Sequence, residues 1–572
     1  MLEVGLLVAS SATAAVSESR GFRDAFGSAA PVWLSALFDA VRGAASAMVV
    51  GLGGPRDPTQ AAAVVLVCAF AVAGAAYLLA LTTRPAGKRT ILAFALLFDL
   101  TLLVMPGLLS TDLLTYATYG RLAAVYGQNP YLSSPSAVLS DPLVQWLDTR
   151  PEHASPYGPV WTILSMGLAW LTTGLPALLQ AVGYRLVGAC SVLAGTAIIW
   201  RLTRDPSSVL LFAWNPLLLV EAVGNGHNDA PMMVVALGGL LLLAAATSRG
   251  GIALATRLGG TGVATGPAGT AVANRPGGTA AAGPVREMGD ASDARSASAG
   301  AVSGRRATRL AAGLLVLGLA ALVKYVPGLL LVYAGVALAR SRPRLVVSTA
   351  VAMLALAIVV WLPWLGQSGP GVVLASVSAG GERYVNALLD LPTGWVATHV
   401  VDRSGQDVAA AEAAVRAWPR AIVRGLFLVY VAWEARRIWR RPGLVAVLEA
   451  GVRGYLVALL LVVTQVLSWY FTWPLALGAV LGWRSTLARV AVAYGVVYLP
   501  VFYAIHADLV PGVSAALLLV AWAVLPPLIV PGSRSAPLRP SPSSERMRRA
   551  GATAASTSTS RNERYCSRAP MR

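Results

Sequence analysis

The sequence predicts an all-α fold, a polytopic transmembrane helical bundle of about 12–14 spans, on three observations. Of the 572 residues, 56% are hydrophobic and 12% charged, about half the usual globular charged share of roughly 25%, and the mean hydropathy is +0.65. Apolar runs at residues 61–81, 91–109, 346–365 and 513–530 approach or reach the roughly 20 residues that a helix needs to cross a hydrocarbon core. The positive charge, a net +19, sits in short loops between such runs and in two polar tracts. That is the pattern of cytoplasmic loops enriched in Lys and Arg. The pI of about 10.4 therefore reads as an orientation signal, and no nucleic-acid partner is expected.

Taken in order, residues 1–59 form an N-terminal segment with a possible weak first span at 6–16. That run is short, rich in Ala and Ser, and has no basic flank before it, so it makes a poor signal peptide. Residues 60–248 are the first part of the transmembrane core and contain a long polar loop at 110–156. Residues 249–309 are rich in Gly, Ala, Thr and Ser with scattered Arg, too poor in apolar side chains to offset their ordering entropy. They read as a disordered cytoplasmic linker. Residues 310–531 are the second part of the core, and 532–572 a disordered basic tail. No internal repeat is visible. Cys68, Cys190 and Cys566 form no CxxC pair, so neither a metal site nor a disulfide framework is expected.

Loop charges orient the chain. The basic loops at 84–89, 201–204, 249–309, 340–344, 436–441 and 484–489, together with the tail, are assigned to the cytoplasm. The loops at 110–156, 225–229, 324–327, 367–418, 465–470 and 506–508 then fall outside, and they hold most of the polar residues that interrupt the apolar pattern. Residues 157–173 keep this order only if they enter the outer half of the membrane and return. Such backbone is tolerated where protein or a water-filled cavity surrounds it.

The outer loop opens Ser110-Thr111-Asp112, with Ser110 or Thr111 able to cap a short helix. On that helix Asp112, Tyr116 and Tyr119 share a face, at offsets of four and seven. A carboxylate flanked by phenols suits a sugar hydroxyl: the acid takes the proton and the rings hold the sugar. The plainer alternative is a helix-start charge favoured by the dipole. Arg121, nine residues on, falls on the opposite face of a continuous helix. Asn129, in the turn-rich run 126–131, and Tyr157, between two prolines, lie further along the loop.

The second polar cluster, residues 225–229, holds Asn225, His227 and Asp229, with Glu221 one turn earlier. Asp229 before Ala230-Pro231 has a simple reading as a helix cap. Glu221 and His227 do not, and ionisable groups at membrane level are functional candidates by default. Lys324 interrupts an apolar stretch and needs an anionic partner or an aqueous cavity, unless it snorkels to an interface. Trp469 and Tyr470 open the run 469–474, which could equally form an interfacial aromatic belt.

These clusters, in this order, resemble the bacterial GT-C glycosyltransferases that use polyprenyl-phosphate sugars. The similarity is greatest to the actinobacterial polyprenol-phosphate-mannose-dependent α-1,6-mannosyltransferases. The stretches that carry it are DLLTYATYGR at 112–121, GQNPY at 127–131, YGPVW at 157–161, NPLLLVEAVGNGHND at 215–229, KYVP at 324–327 and WYFTWP at 469–474. The resemblance implies Asp112 as catalytic base in an inverting transfer. The donor would be polyprenyl-phosphate mannose, the acceptor a mannan or lipoglycan, and the active site would face outside from a multi-pass protein in the cell membrane, among membrane lipids. Lys324, His227 and Arg121 are the candidates to meet the leaving phosphate. Tyr116, Tyr119, Asn129, Tyr157, Glu221, Asn225, Asp229, Trp469 and Tyr470 complete the candidate substrate-binding set. No cofactor and no metal are expected, and no nucleotide-binding glycine loop is found.

Other readings stay open. A related transferase could use another sugar or acceptor. A lipid-linked sugar transporter or flippase would also place polar residues at broken helices, and would show repeat symmetry.

Overall fold

The computed structural model describes residues 1–83, 87–147, 152–247, 289–368, 371, 386–396 and 408–530. These residues form helices joined by turns, with no strand among them. Of the expected linker, residues 249–288 lie outside the described residues, as does the tail at 532–572.

The chain begins with α1 (Leu2–Val16), α2 (Arg20–Ala29), α3 (Val32–Gly51), α4 (Pro58–Thr82) and α5 (Lys88–Leu103). The loop after α5 contributes α6 (Asp112–Ala124) and the single turn α7 (Pro142–Gln145). Next come α8 (Pro159–Thr172), α9 (Ala177–Thr203), α10 (Pro206–Ala213), α11 (Pro216–Leu219) and α12 (Asp229–Thr247). The second part holds α13 (Gly289–Val323), α14 (Gly328–Ala339), α15 (Pro343–Ser368), α16 (Asp390–Val396) and α17 (Val408–Arg440). It ends with α18 (Leu444–Val457), α19 (Thr472–Leu481), α20 (Thr486–His506) and α21 (Gly512–Ile529).

Eight of these helices are long and apolar enough to cross a membrane, nine if the bent pair α10 and α11 counts as one span. The expected 12–14 is reached only by adding the four shorter apolar helices α1, α8, α14 and α21. The N-terminal segment is more regular than its composition suggests, because α3 itself qualifies as a span. Helix α13 starts at Gly289, inside the tract read as linker. Val347, Val351, Leu354, Ile358 and Leu362 are all exposed along one stripe of α15. A stripe of that size costs heavily in water and nothing in hydrocarbon. The chain is a helical membrane protein.

Helix breaks do most to build the site. Pro216 lacks an N–H and Asn215 caps the new start through Leu218 N at 3.1 Å, so the chain bends by 48° between α10 and α11. Tyr77 secures the break, donating to Leu211 O at 2.6 Å and accepting from Asn215 Nδ2 at 3.3 Å. A π-helical turn at Val220–Gly224 follows, a local distortion common at functional sites. It packs so tightly on α9 that a Cβ at Gly188 would meet Ala222 O at 1.8 Å. Only glycine fits there.

Candidate active site

Residues 106–110 lead from α5 to α6 outside any helix, so their backbone groups need other partners. Side chains supply them. The buried Arg185 donates to Met105 O at 2.6 Å and Gly107 O at 2.7 Å. Thr13 Oγ1 accepts from Gly107 N at 3.0 Å, Ser17 Oγ from Leu108 N at 3.1 Å, and Asn225 Oδ1 from Leu109 N at 3.0 Å. This clamp delivers Asp112 as the first residue of α6.

The Asp112 carboxylate is 32% exposed, whereas His227 beside it is 1% exposed. Tyr116 OH, one turn along α6, donates to Asp112 Oδ2 at 3.2 Å, and His227 Nδ1 lies 3.4 Å from the same oxygen. On the other side of the imidazole, Nε2 is 3.4 Å from Glu221 Oε2. Burial pushes the imidazole pKa down, but the flanking Asp112 and Glu221 carboxylates outweigh it and raise it to about 9. Burial pushes the Asp112 carboxyl up. His227, the Lys324 charge and the Tyr116 hydroxyl outweigh that and hold it below the usual aspartate value. Asp112 therefore stays ionised, against an imidazolium that is itself stacked on Trp469 at 3.7 Å.

Glu221 supports this arrangement from beneath. Its carboxylate accepts from Asn225 Nδ2 at 2.8 Å, Ser468 Oγ at 2.5 Å and Tyr503 OH at 3.0 Å. A buried carboxylate with that many donors is a fixed charge. Asn225 joins both parts, because its oxygen holds the Asp112 loop and its nitrogen meets Glu221.

The cationic part of the site comes from the turn between α13 and α14. Lys324 Nζ contacts both Asp229 oxygens at 2.9 Å. It also lies 4.5 Å from the centroid of the Tyr470 ring, within cation–π range. Trp473 Nε1 donates to Asp229 Oδ1 at 2.5 Å, and Trp473 stacks on Tyr470 at 4.6 Å. Two of the plainer alternatives from sequence give way here. Asp229 is a buried ion-pair partner and not merely a helix cap, and Trp469 and Trp473 are buried instead of forming an interfacial belt. Gly158 N donates to Val323 O at 3.1 Å, and a Cβ at Gly158 would meet Leu322 O at 2.1 Å. This contact brings Tyr157 close, its ring edge-on to Tyr116 at 4.8 Å.

The structure thus brings together Asp112, Tyr116, Tyr157, Glu221, Asn225, His227, Asp229, Lys324, Trp469 and Tyr470. It directs the polar groups of three candidates elsewhere, although the Tyr119 ring stays 6.3 Å from that of Tyr157. Tyr119 OH donates to His153 O at 2.9 Å. Arg121 pairs with the buried Asp141 at 2.6 Å and donates to Gln180 at 2.9 Å, so it braces the polar loop, as its place on the far face of α6 implies. Asn129 donates to Trp364 O at 3.3 Å and accepts from Tyr131 N at 3.0 Å, stitching the loop to α15. Sequence reasoning missed Arg185, Ser468, Trp473 and Tyr503. Trp473 stood within a quoted motif, and Arg185, an ionisable group within the apolar helix α9, carried a signal that was passed over; Ser468 and Tyr503 carried none.

Residues 24–280 match the family described as alpha-(1->6)-mannopyranosyltransferase, N-terminal domain. The match takes in Asp112, Glu221, His227 and Asp229, while Lys324 and residues 469–473 lie beyond it. A probable alpha-(1->6)-mannopyranosyltransferase of Mycolicibacterium smegmatis is 31% identical over 156 residues, 25% of this chain and 27% of that protein. An alpha-(1->6)-mannopyranosyltransferase of Mycobacterium tuberculosis is 30% identical over 155 residues, 25% of each chain. The chain thus spans about a quarter of the length of the curated relatives it matches. No solved structure matches it. Through residues 24–280, the chain is similar to the alpha-(1->6)-mannopyranosyltransferase family.

Proposed function

We propose that this chain transfers mannose from polyprenyl-phosphate mannose to a hydroxyl of a mannan or lipoglycan acceptor, with inversion, at the outer face of the cell membrane. The observation that carries the reading is a partly exposed Asp112 carboxylate 3.4 Å from His227, inside an apolar bundle, with the charge of Lys324, itself paired with Asp229, also acting on it. Asp112 takes the proton as the acceptor oxygen attacks the anomeric carbon. The bond from that carbon to the phosphate oxygen breaks, and the lipid phosphate leaves with the electron pair. His227 and Lys324 are the cations available to support developing phosphate charge, and the aromatic walls suit a sugar ring. A lipid-linked donor also explains why the charged groups lie in a bundle of membrane helices.

A carboxylate held at low pKa is a weak base. An anionic donor relieves this, because its phosphate draws on the cations that depress Asp112 and adds a like charge nearby. Asp112 then becomes a stronger base once donor is bound.

Purified protein supplied with polyprenyl-phosphate mannose and a short α-mannoside should form an α-1,6-extended product. Absence of product with that donor, or an equally good reaction with a nucleotide sugar, defeats the reading. The sidedness rests on loop charges. In intact cells, with native cysteines replaced, an impermeant thiol reagent should label a cysteine at Ser134 and spare one at Ser298. The reverse pattern would turn the protein over.

A further inference from the structure

Glu18 lies in the turn between α1 and α2, far from every motif quoted above. Its backbone N donates to Leu108 O at 2.8 Å, and its Oε2 accepts from Thr111 N at 3.1 Å. Thr111 is the N-cap of α6 and supplies no side-chain cap of its own. The acid that caps the Asp112 helix therefore comes from a segment 93 residues away in sequence. Glu18 Oε1 in turn meets His506 Nε2, at the end of α20, at 2.5 Å. The His506 ring stacks on Phe502 at 5.7 Å, Phe502 meets Trp469 edge-on at 6.1 Å, and Trp469 stacks on His227. One side chain thus ties the start of the Asp112 helix to the wall that holds the imidazolium.

We infer that Glu18 is a positioning residue for the transfer reaction: it fixes the first turn of α6 and so sets where the Asp112 carboxylate points. This rests on the reading of Asp112 as the base. Three features favour positioning over bulk stability. The pair is accessible, with Glu18 31% and His506 49% exposed. The contact is made at the residue next to Asp112. The remainder of the loop already has its own clamps from Thr13, Ser17, Arg185 and Asn225.

The test uses the full chain in detergent with two readouts. In hydrogen exchange without substrate, Glu18→Ala should speed exchange in peptides covering residues 108–115 and leave α12 and α18 unchanged. In mannosyl transfer, Glu18→Ala should lower kcat by about tenfold to 10²-fold, the scale on which a ~1 Å misplacement acts, with KM for donor and acceptor unchanged. Glu18→Gln keeps an oxygen for the Thr111 amide and should recover most of the lost turnover. Glu18→Asp withdraws the carboxylate and should resemble alanine. Unchanged exchange at 108–115 overturns the inference whatever the donor proves to be. So does normal kcat in Glu18→Ala, or a rise in acceptor KM alone, which would make Glu18 a sugar contact. Wild-type protein inert toward the lipid donor counts against the proposed function, and exchange still decides whether Glu18 holds the loop.

Discussion

Asp112→Asn is expected to lower turnover by about 10²–10⁴-fold, the usual worth of general-base help, while the protein still binds its lipid donor. Asparagine preserves size and can still accept from Tyr116 OH, so a loss isolates the missing negative base. Asp112→Glu should recover little, since an extra methylene moves the carboxylate off its tie to Tyr116 and His227. The pH dependence should carry the same signature. Asp112 is depressed and works above its pKa, and His227, raised to about 9, keeps its charge below that value. Hence kcat/KM should be flat through neutrality and fall as pH passes about 9. If bound donor relieves the depression of Asp112, the acid limb of kcat lies at higher pH than that of kcat/KM. These two profiles report the bound and free enzyme respectively. Near-wild-type turnover in Asp112→Asn would remove the base from this residue.

The second large effect is expected at the Lys324–Asp229 pair. Asp229 is 1% exposed and Lys324 15%. Removing one member of a buried pair typically costs about 3–5 kcal/mol because the other charge is stranded, and the partial exposure of Lys324 points to the lower end. Asp229→Asn should therefore lower the thermal midpoint and cut transfer, although asparagine caps a helix as well as aspartate does. Lys324→Ala should raise the donor concentration needed and reduce turnover, by about 10²-fold if it supports the leaving phosphate. Normal stability and turnover in Asp229→Asn would restore the helix-cap reading. Normal donor use in Lys324→Ala would leave the lysine with no part in the chemistry.

Much of this was legible in the sequence, because hydrocarbon makes polar residues conspicuous. Asp112 stood out at the opening of a polar loop, His227 and Lys324 as interruptions of apolar runs, and the period of α6 put Tyr116 beside Asp112 and Arg121 away from it. The partners were not legible. Nothing local tells Asp229 that Lys324 lies 95 residues on and Trp473 244 residues on, so a helix cap was the economical reading. Arg185 was conspicuous as a charge within the apolar helix α9, but its partners, the carbonyls of residues 105 and 107, were not. The span count suffers from the same blindness. Length and hydropathy identify α4 or α15, but the four short apolar helices take their roles from packing that no window of sequence displays.

The carboxylate of Glu221 is closed by Tyr503, 282 residues later, and Glu18 waits 488 residues for His506. Ribosomes add roughly 5–20 residues per second, so the second interval is on the order of 25–100 s. Late in that time Asp112, His227 and Lys324 have been made, but the floor beneath the imidazole is still missing. A nascent or prematurely terminated chain can therefore display the acid and the cations without the geometry that makes them useful. Arrival of α20 acts as a completion check, and a chain cut before it should be membrane-inserted but chemically silent.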